Sequence, residues 1–170
     1  QWSYNKFDPL RNGWIRIGEI KQYPIDCPFS LSGDCDYGTA LHQNGDYFSQ
    51  DWNQKSGSSD IDCGKVFRSP LSGTVIGFYS SCHNSSPCVY QTTDNCQASN
   101  HVFIKSDIYP DFVFGVIHLQ DVSFSVTTIG QHVNVGDAIG LVGASHVTIS
   151  NNPDIAHAHC VVYKIAQQYS

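Results

Sequence analysis

The chain closes on an apolar segment that contains His157-Ala158-His159. Alternate residues of a strand project to one face, so the two imidazoles would stand side by side. One can bind a metal while its neighbour works on a water at that metal. The triplet decides little by itself, because eight histidines in this chain give roughly 0.4 such triplets by chance. Two further segments supply context. The run from His42 through Asp46 to Asp51 offers one histidine and two carboxylates in a short span. A hydrolytic zinc takes three protein ligands of N/O type and keeps a fourth position open for water. A His and an Asp from this run, with one His from the closing triplet, meet that requirement. Third, His118 ends the apolar run Phe112-Val113-Phe114-Gly115-Val116-Ile117, in phase with Phe112, Phe114 and Val116. A histidine in so apolar a strand needs a polar reason; for this residue alone, a core imidazole bonded to backbone is the simpler one.

The elements that must position these groups read as strands. Period-two alternation and turn punctuation prevail over helical spacing. Val66 to Pro70 and Thr74 to Tyr79 form two strands separated by a Pro/Gly break. His101 to Lys105 and Asp111 to Leu119 follow, joined by a turn at Asp107-Ile108-Tyr109-Pro110. Val133 to Val142 gives two short strands around a tight Gly-Asp turn, and Ala156 to Ile165 is a strand rich in Val, Tyr and Ile. The fold class expected is all-β, an antiparallel sandwich or barrel. Residues 1–40 read as an irregular segment packed on a core of residues 41–165, with a weak helical signal at Gly18 to Lys21, all in one domain of 170 residues.

Composition narrows the functional classes. A net charge of −6 and the lack of any Lys/Arg cluster argue against nucleic-acid and polybasic membrane roles. No stretch approaches the ~20 continuous apolar residues of a membrane span. The sequence has no Met and begins Gln1-Trp2-Ser3, as expected of a processed mature form. The seven cysteines lack paired CxxC spacing, which disfavours a Cys₄ zinc site. The short separations Cys27–Cys35 and Cys82–Cys88 read as loop staples, which require an oxidising compartment, and the sequence leaves the pairings themselves open. Cys160, in an apolar strand, is the expected odd thiol. The polar loop between Cys82 and Cys88 carries a glycosylation sequon at Asn84.

In order along the chain stand His42…Asp51, Gly64-Lys65-Val66-Phe67-Arg68-Ser69-Pro70-Leu71-Ser72-Gly73-Thr74-Val75, Val116-Ile117-His118-Leu119, Gly130-Gln131-His132-Val133-Asn134-Val135-Gly136-Asp137-Ala138-Ile139-Gly140 and His157-Ala158-His159. This series resembles the lysostaphin-type and β-lytic zinc endopeptidases, which share the duplicated hybrid motif fold, and it covers roughly residues 28–165. Five elements in order are more specific than any one of them.

The resemblance implies a zinc endopeptidase with one Zn²⁺ held by His42, Asp51 and His159. It implies His157 as general base and His118 as the imidazole that steadies the transition state. Asp46 also has a family spacing from His42. Asp51 is preferred because Gly45 to Trp52 resembles the longer family variant, and because the Asp of Asn44-Gly45-Asp46 more often caps a turn. The implied partner is a peptide, in cell-wall peptidoglycan cross-links or Gly-rich proteins. The protein is expected to be secreted or periplasmic, and monomeric. The alternative is a catalytically silent zinc-binding or signalling protein on the same scaffold. Cys160 and the insertion Cys82 to Cys96 depart from the family pattern. Cys160 is expected to face away from the metal and pack. His83, His101, His132 and His146 read as surface or strand-end residues.

Overall fold

The computed structural model describes residues 2–3, 35–37, 50–56, 59–83, 88, 96, 98–109, 111–120, 125–145 and 156–165, with backbone alone for 2–3, 35–37, 50, 54–56, 59–60 and 162–165. The weak helical signal at Gly18 to Lys21, the ligand candidates His42 and Asp46, Cys27, Asn84 and His146 lie outside the described residues. Among the described residues every regular element is a strand: β1 (Trp2–Ser3), β2 (Cys35–Tyr37), β3 (Gln50–Ser56), β4 (Ser59–Asp60), β5 (Val66–Arg68), β6 (Gly73–Tyr79), β7 (His101–Ser106), β8 (Phe112–Ile117), β9 (His132–Val133), β10 (Ala138–Leu141) and β11 (Ala158–Ile165). Every ladder among them is antiparallel. The main sheet runs β2-β3-β11-β8-β7-β6-β9, with β1 beside β11 and β4 beside β3; β10 and β5 form a separate ribbon.

The all-β, antiparallel expectation is met. Residues 1–40, expected to be irregular, do contribute strands: β1 extends one edge of β11 and β2 pairs with β3. The polar strand β3 is also unannounced by any alternation of its own. Both cases share a cause, since a short strand on an existing edge is fixed by the backbone bonds of its neighbour more than by its own side chains.

The core lies between one face of the main sheet and the β5/β10 ribbon. Trp52, Val75, Val102, Ile104, Phe114, Val116, Ala158 and Cys160 come from the sheet; Phe67 and Ile139 close over them from the ribbon. Phe67 and Phe114 stack across this boundary, with ring centroids 6.2 Å apart. In β8 the residues Val113 to Val116 are all buried, so this central strand is covered on both faces. Its register leaves no room at Gly115, where a Cβ would stand 2.5 Å from the Phe103 ring and 2.9 Å from Val161. At Gly73 a Cβ would fall on the Lys105 carbonyl oxygen.

The cysteine pairing differs from the expected staple. Cys82 is bonded to Cys96 and Cys88 to Cys63, so the two closed loops overlap along the chain. Proximity in sequence misleads here because Cys82 is buried beside the start of β7, while Cys88 packs against the core and lies beside Gln120. Loops of this length stabilise a fold by about 3 kcal/mol each when considered singly. Cys160 is a free, buried thiol on the core face, as expected. Burial, then the nearby Asp51 carboxylate, raise its pKa well above the usual thiol value.

Two outcomes follow. Gly115→Ala overpacks the β7–β8–β11 junction and lowers stability by about 1–3 kcal/mol, measured as a lower urea midpoint at unchanged slope. In the unreduced protein, Cys160 is silent to a thiol reagent until denaturation. The denatured chain then titrates one thiol if Cys27 and Cys35 are joined, and three if they are not.

Candidate metal centre

Strand register assembles one row of side chains across the main sheet. Asp51 of β3 faces His159 of β11, His159 faces Ile117 of β8, Ile117 faces His101 of β7, and His101 faces Tyr79 of β6. Partners in an antiparallel ladder project to the same side, so these residues share the face opposite the core. The adjoining row, Trp52–Ala158 and Cys160–Val116–Val102, points into the core. Cys160 therefore faces away from Asp51 and His159.

His118 breaks the alternation that carried it in the sequence reading. Continued in phase with Phe114 and Val116, its ring would enter the core. Instead β8 ends at Ile117, and His118 adopts a left-handed backbone with φ of 68°. Such a conformation costs on the order of 1–3 kcal/mol for a residue with a side chain, although His tolerates it better than most. The turn brings the His118 ring to the site face, with centroid distances of 5.0 Å to His157 and 5.5 Å to His159.

Four of the five expected site residues thus lie together: Asp51, His118, His157 and His159. The fifth, His42, and the competing Asp46 lie outside the described residues. Asp51 Oδ1 is 3.0 Å from His159 Nδ1 and 3.4 Å from His157 Nε2. His118, His157 and His159 each offer a ring nitrogen, all within 4.8 Å of one another. Two ligands on a tetrahedral zinc at ~2.0 Å each stand about 3.3 Å apart. The Asp51–His159 separation is close to that bite, and the two atom types suit zinc, so the residues present fit the metal. His159 is buried and Asp51 half-buried.

The imidazoles have distinct electrostatic settings. His118 Nδ1 lies 2.7 Å from the Ser145 carbonyl oxygen. A carbonyl only accepts, so Nδ1 carries the proton and neutral His118 presents a lone pair at Nε2. Burial, followed by the facing His157, pushes the His118 pKa down to about 3, against the opposing pull of the Ser145 carbonyl. The ring is therefore neutral at physiological pH. The His157 backbone N–H donates to Gly143 O, so His118 and His157 are both tied to segment 143–145.

Ser99, Asn100 and Ser145, to which the sequence assigns no role, back this arrangement. Ser99 Oγ is 3.3 Å from His118 Nδ1. None of the three belongs to a run with a recognisable chemical spacing; the sole hint was that a left-handed histidine needs a partner, and the backbone angle is not written in the sequence. His101, expected to be a strand-end residue, begins β7 at the site face. It bonds through Nδ1 to Ser99 O and stacks with Tyr79, and burial lowers its pKa. His132 pairs with Asp107 on the exposed surface and His83 is exposed, as expected.

No protein-family model matches the chain, and no curated protein matches it in sequence. Solved structures do match. The M23 metalloprotease pseudoalterin, from the deep sea, is 18% identical with a TM-score of 0.55, over 88% of this chain and 75% of that one. The antimicrobial peptidase lysostaphin from Staphylococcus simulans is 13% identical with a TM-score of 0.52, over 86% of this chain and 50% of that one. A Pseudomonas aeruginosa chain described as an M23 peptidase is 18% identical with a TM-score of 0.50, over 95% of this chain and 59% of that one. The chain thus spans roughly three fifths of the Pseudomonas structure and half of lysostaphin. At these identities the likeness is one of architecture, and it agrees with the order of motifs in the sequence: the chain has the β fold of the lysostaphin-type, M23 peptidases.

Proposed function

We propose that this chain is a zinc-dependent endopeptidase of the lysostaphin type, acting outside the cell on peptide bonds of peptidoglycan cross-links or Gly-rich proteins. One observation carries the reading: strand register and the left-handed turn at His118 bring Asp51, His118, His157 and His159 to one face. The two disulfides support an oxidising compartment. No helix among the described residues is long and apolar enough to cross a membrane.

Zinc held by His42, Asp51 and His159 would supply Lewis-acid activation of water and of the scissile carbonyl. The remaining chemistry falls to the paired imidazoles. His157, beside the Asp51 carboxylate, accepts a proton during attack on the peptide carbonyl and returns it to the leaving amine. His118 is pre-set differently from the donor role implied by the family resemblance. With its proton committed to Ser145 O, neutral His118 offers only a lone pair to the cleft. In this tautomer a neutral imidazole accepts and does not donate at Nε2, so His118 enters the cycle as an acceptor beside His157.

Two experiments test this proposal. Zinc content measured after dialysis should fall in Asp51→Ala and stay near one ion per chain in Asp46→Ala; the reverse pattern would transfer the ligand role to Asp46. Zinc-loaded protein should cleave purified peptidoglycan or a pentaglycine peptide. In His157→Ala, kcat should drop by about 10²–10⁴-fold. Equal turnover by the variant removes His157 as base, and turnover by neither protein on any substrate favours a silent binding role.

A further inference from the structure

Asn100 stands at the start of β7, fully buried, with both side-chain polar atoms and both backbone polar groups hydrogen-bonded. Its side-chain amide grips the backbone of Cys82 at both ends: Cys82 N–H donates to Oδ1 and Nδ2 donates to Cys82 O, each at 2.9 Å. Nδ2 also donates to Leu119 O at 3.2 Å, and Leu119 N–H donates to the Asn100 carbonyl at 3.1 Å. The Asn100 backbone N–H donates to Ser145 Oγ at 3.0 Å. One residue thereby holds three separate stretches of chain.

Each of those stretches bears on His118. Leu119 follows it directly, so clamping Leu119 by both backbone groups fixes the exit of the left-handed turn. Ser145 supplies the carbonyl that accepts the hydrogen bond from His118 Nδ1. Cys82 is covalently joined to Cys96, which anchors the far end of the assembly. Cys82, Asn100 and Ser145 are each at most 2% exposed, so water does not compete for these bonds.

We infer that Asn100 is a positioning residue for His118, locking its turn and its tautomer through Leu119 and Ser145, with the Cys82–Cys96 disulfide as the anchor. The lock aims the Nε2 lone pair at the cleft in the resting protein, before any substrate binds. A buried amide suits the task because it donates and accepts at once; a carboxylate at this position would lose both Nδ2 donors. The catalytic consequence rests on the peptidase reading, whereas the tautomer itself does not.

The test measures which His118 ring nitrogen bears the proton, by ¹⁵N NMR of the zinc-free protein, alongside steady-state kinetics of the zinc-loaded protein. Wild type should show His118 protonated at Nδ1. Asn100→Ala and the milder Ser145→Ala, which keeps the carbonyl but loses its tether, should give a mixture of tautomers. Both should lower kcat about tenfold at little-changed KM, and Ser145→Thr should restore both readouts. Cys96→Ser should move His118 in the same direction. If Asn100→Ala does not fold, Ser145→Ala carries the test. A His118 ring that stays in the Nδ1–H form in the folded variants overturns the lock, and an unmoved ring in Cys96→Ser removes the disulfide from it. A tautomer that follows the variants in a protein without peptidase activity leaves the lock standing and rejects the function instead.

Discussion

The site depends on the register of β11 between β3 and β8. A shift of one residue along either ladder would send His159 into the core and bring Ala158 or Cys160 to the surface in its place. The hydrophobic pattern forbids this, because Ala158 and Cys160 are needed among Trp52, Val116 and Phe114. Packing on one face of the sheet thus sets the chemistry on the other. Asp51 and His159 are far apart in sequence, yet no loop has to bring them together; they are neighbours in a ladder.

Against this regular frame, His118 is the exception, and it is held by exceptions. A residue following the pleat would have supplied another core side chain beside Val116. The left-handed turn transfers an imidazole to the opposite face at a local conformational cost, which the buried bonds around Asn100 and Ser145 offset. Regular structure supplies Asp51 and His159, and irregular structure supplies His118.

Much of the frame was legible. The apolar alternation of β6, β7 and β8 and the Gly-Asp turn before β10 locate strands because those strands bury one or both faces. β3 was not legible as a strand, since among its described side chains, Asp51, Trp52 and Asn53, only Trp52 lies in the core, and its form is owed to the edges it joins. The pairing of His157 and His159 on one segment could be read from their spacing, but the direction of His118 could not. Phase assigns it to the core, and only the backbone angle corrects that. Disulfide connectivity was hidden for a related reason: the short Cys82–Cys88 separation says nothing about Cys63 arriving from another part of the fold. Asn100 carries no signal at all, because a buried amide acts through the chain segments around it.

The tie of both His118 and His157 to segment 143–145 divides the machine into two mechanical parts. Asp51 and His159 lie on strands of the main sheet, while His118 and His157 each bond to one short segment beyond β10. In the proposed peptidase, the ligands Asp51 and His159 and the imidazoles of His118 and His157 are therefore held by different parts of the scaffold, with Asp51 in contact with both His157 and His159.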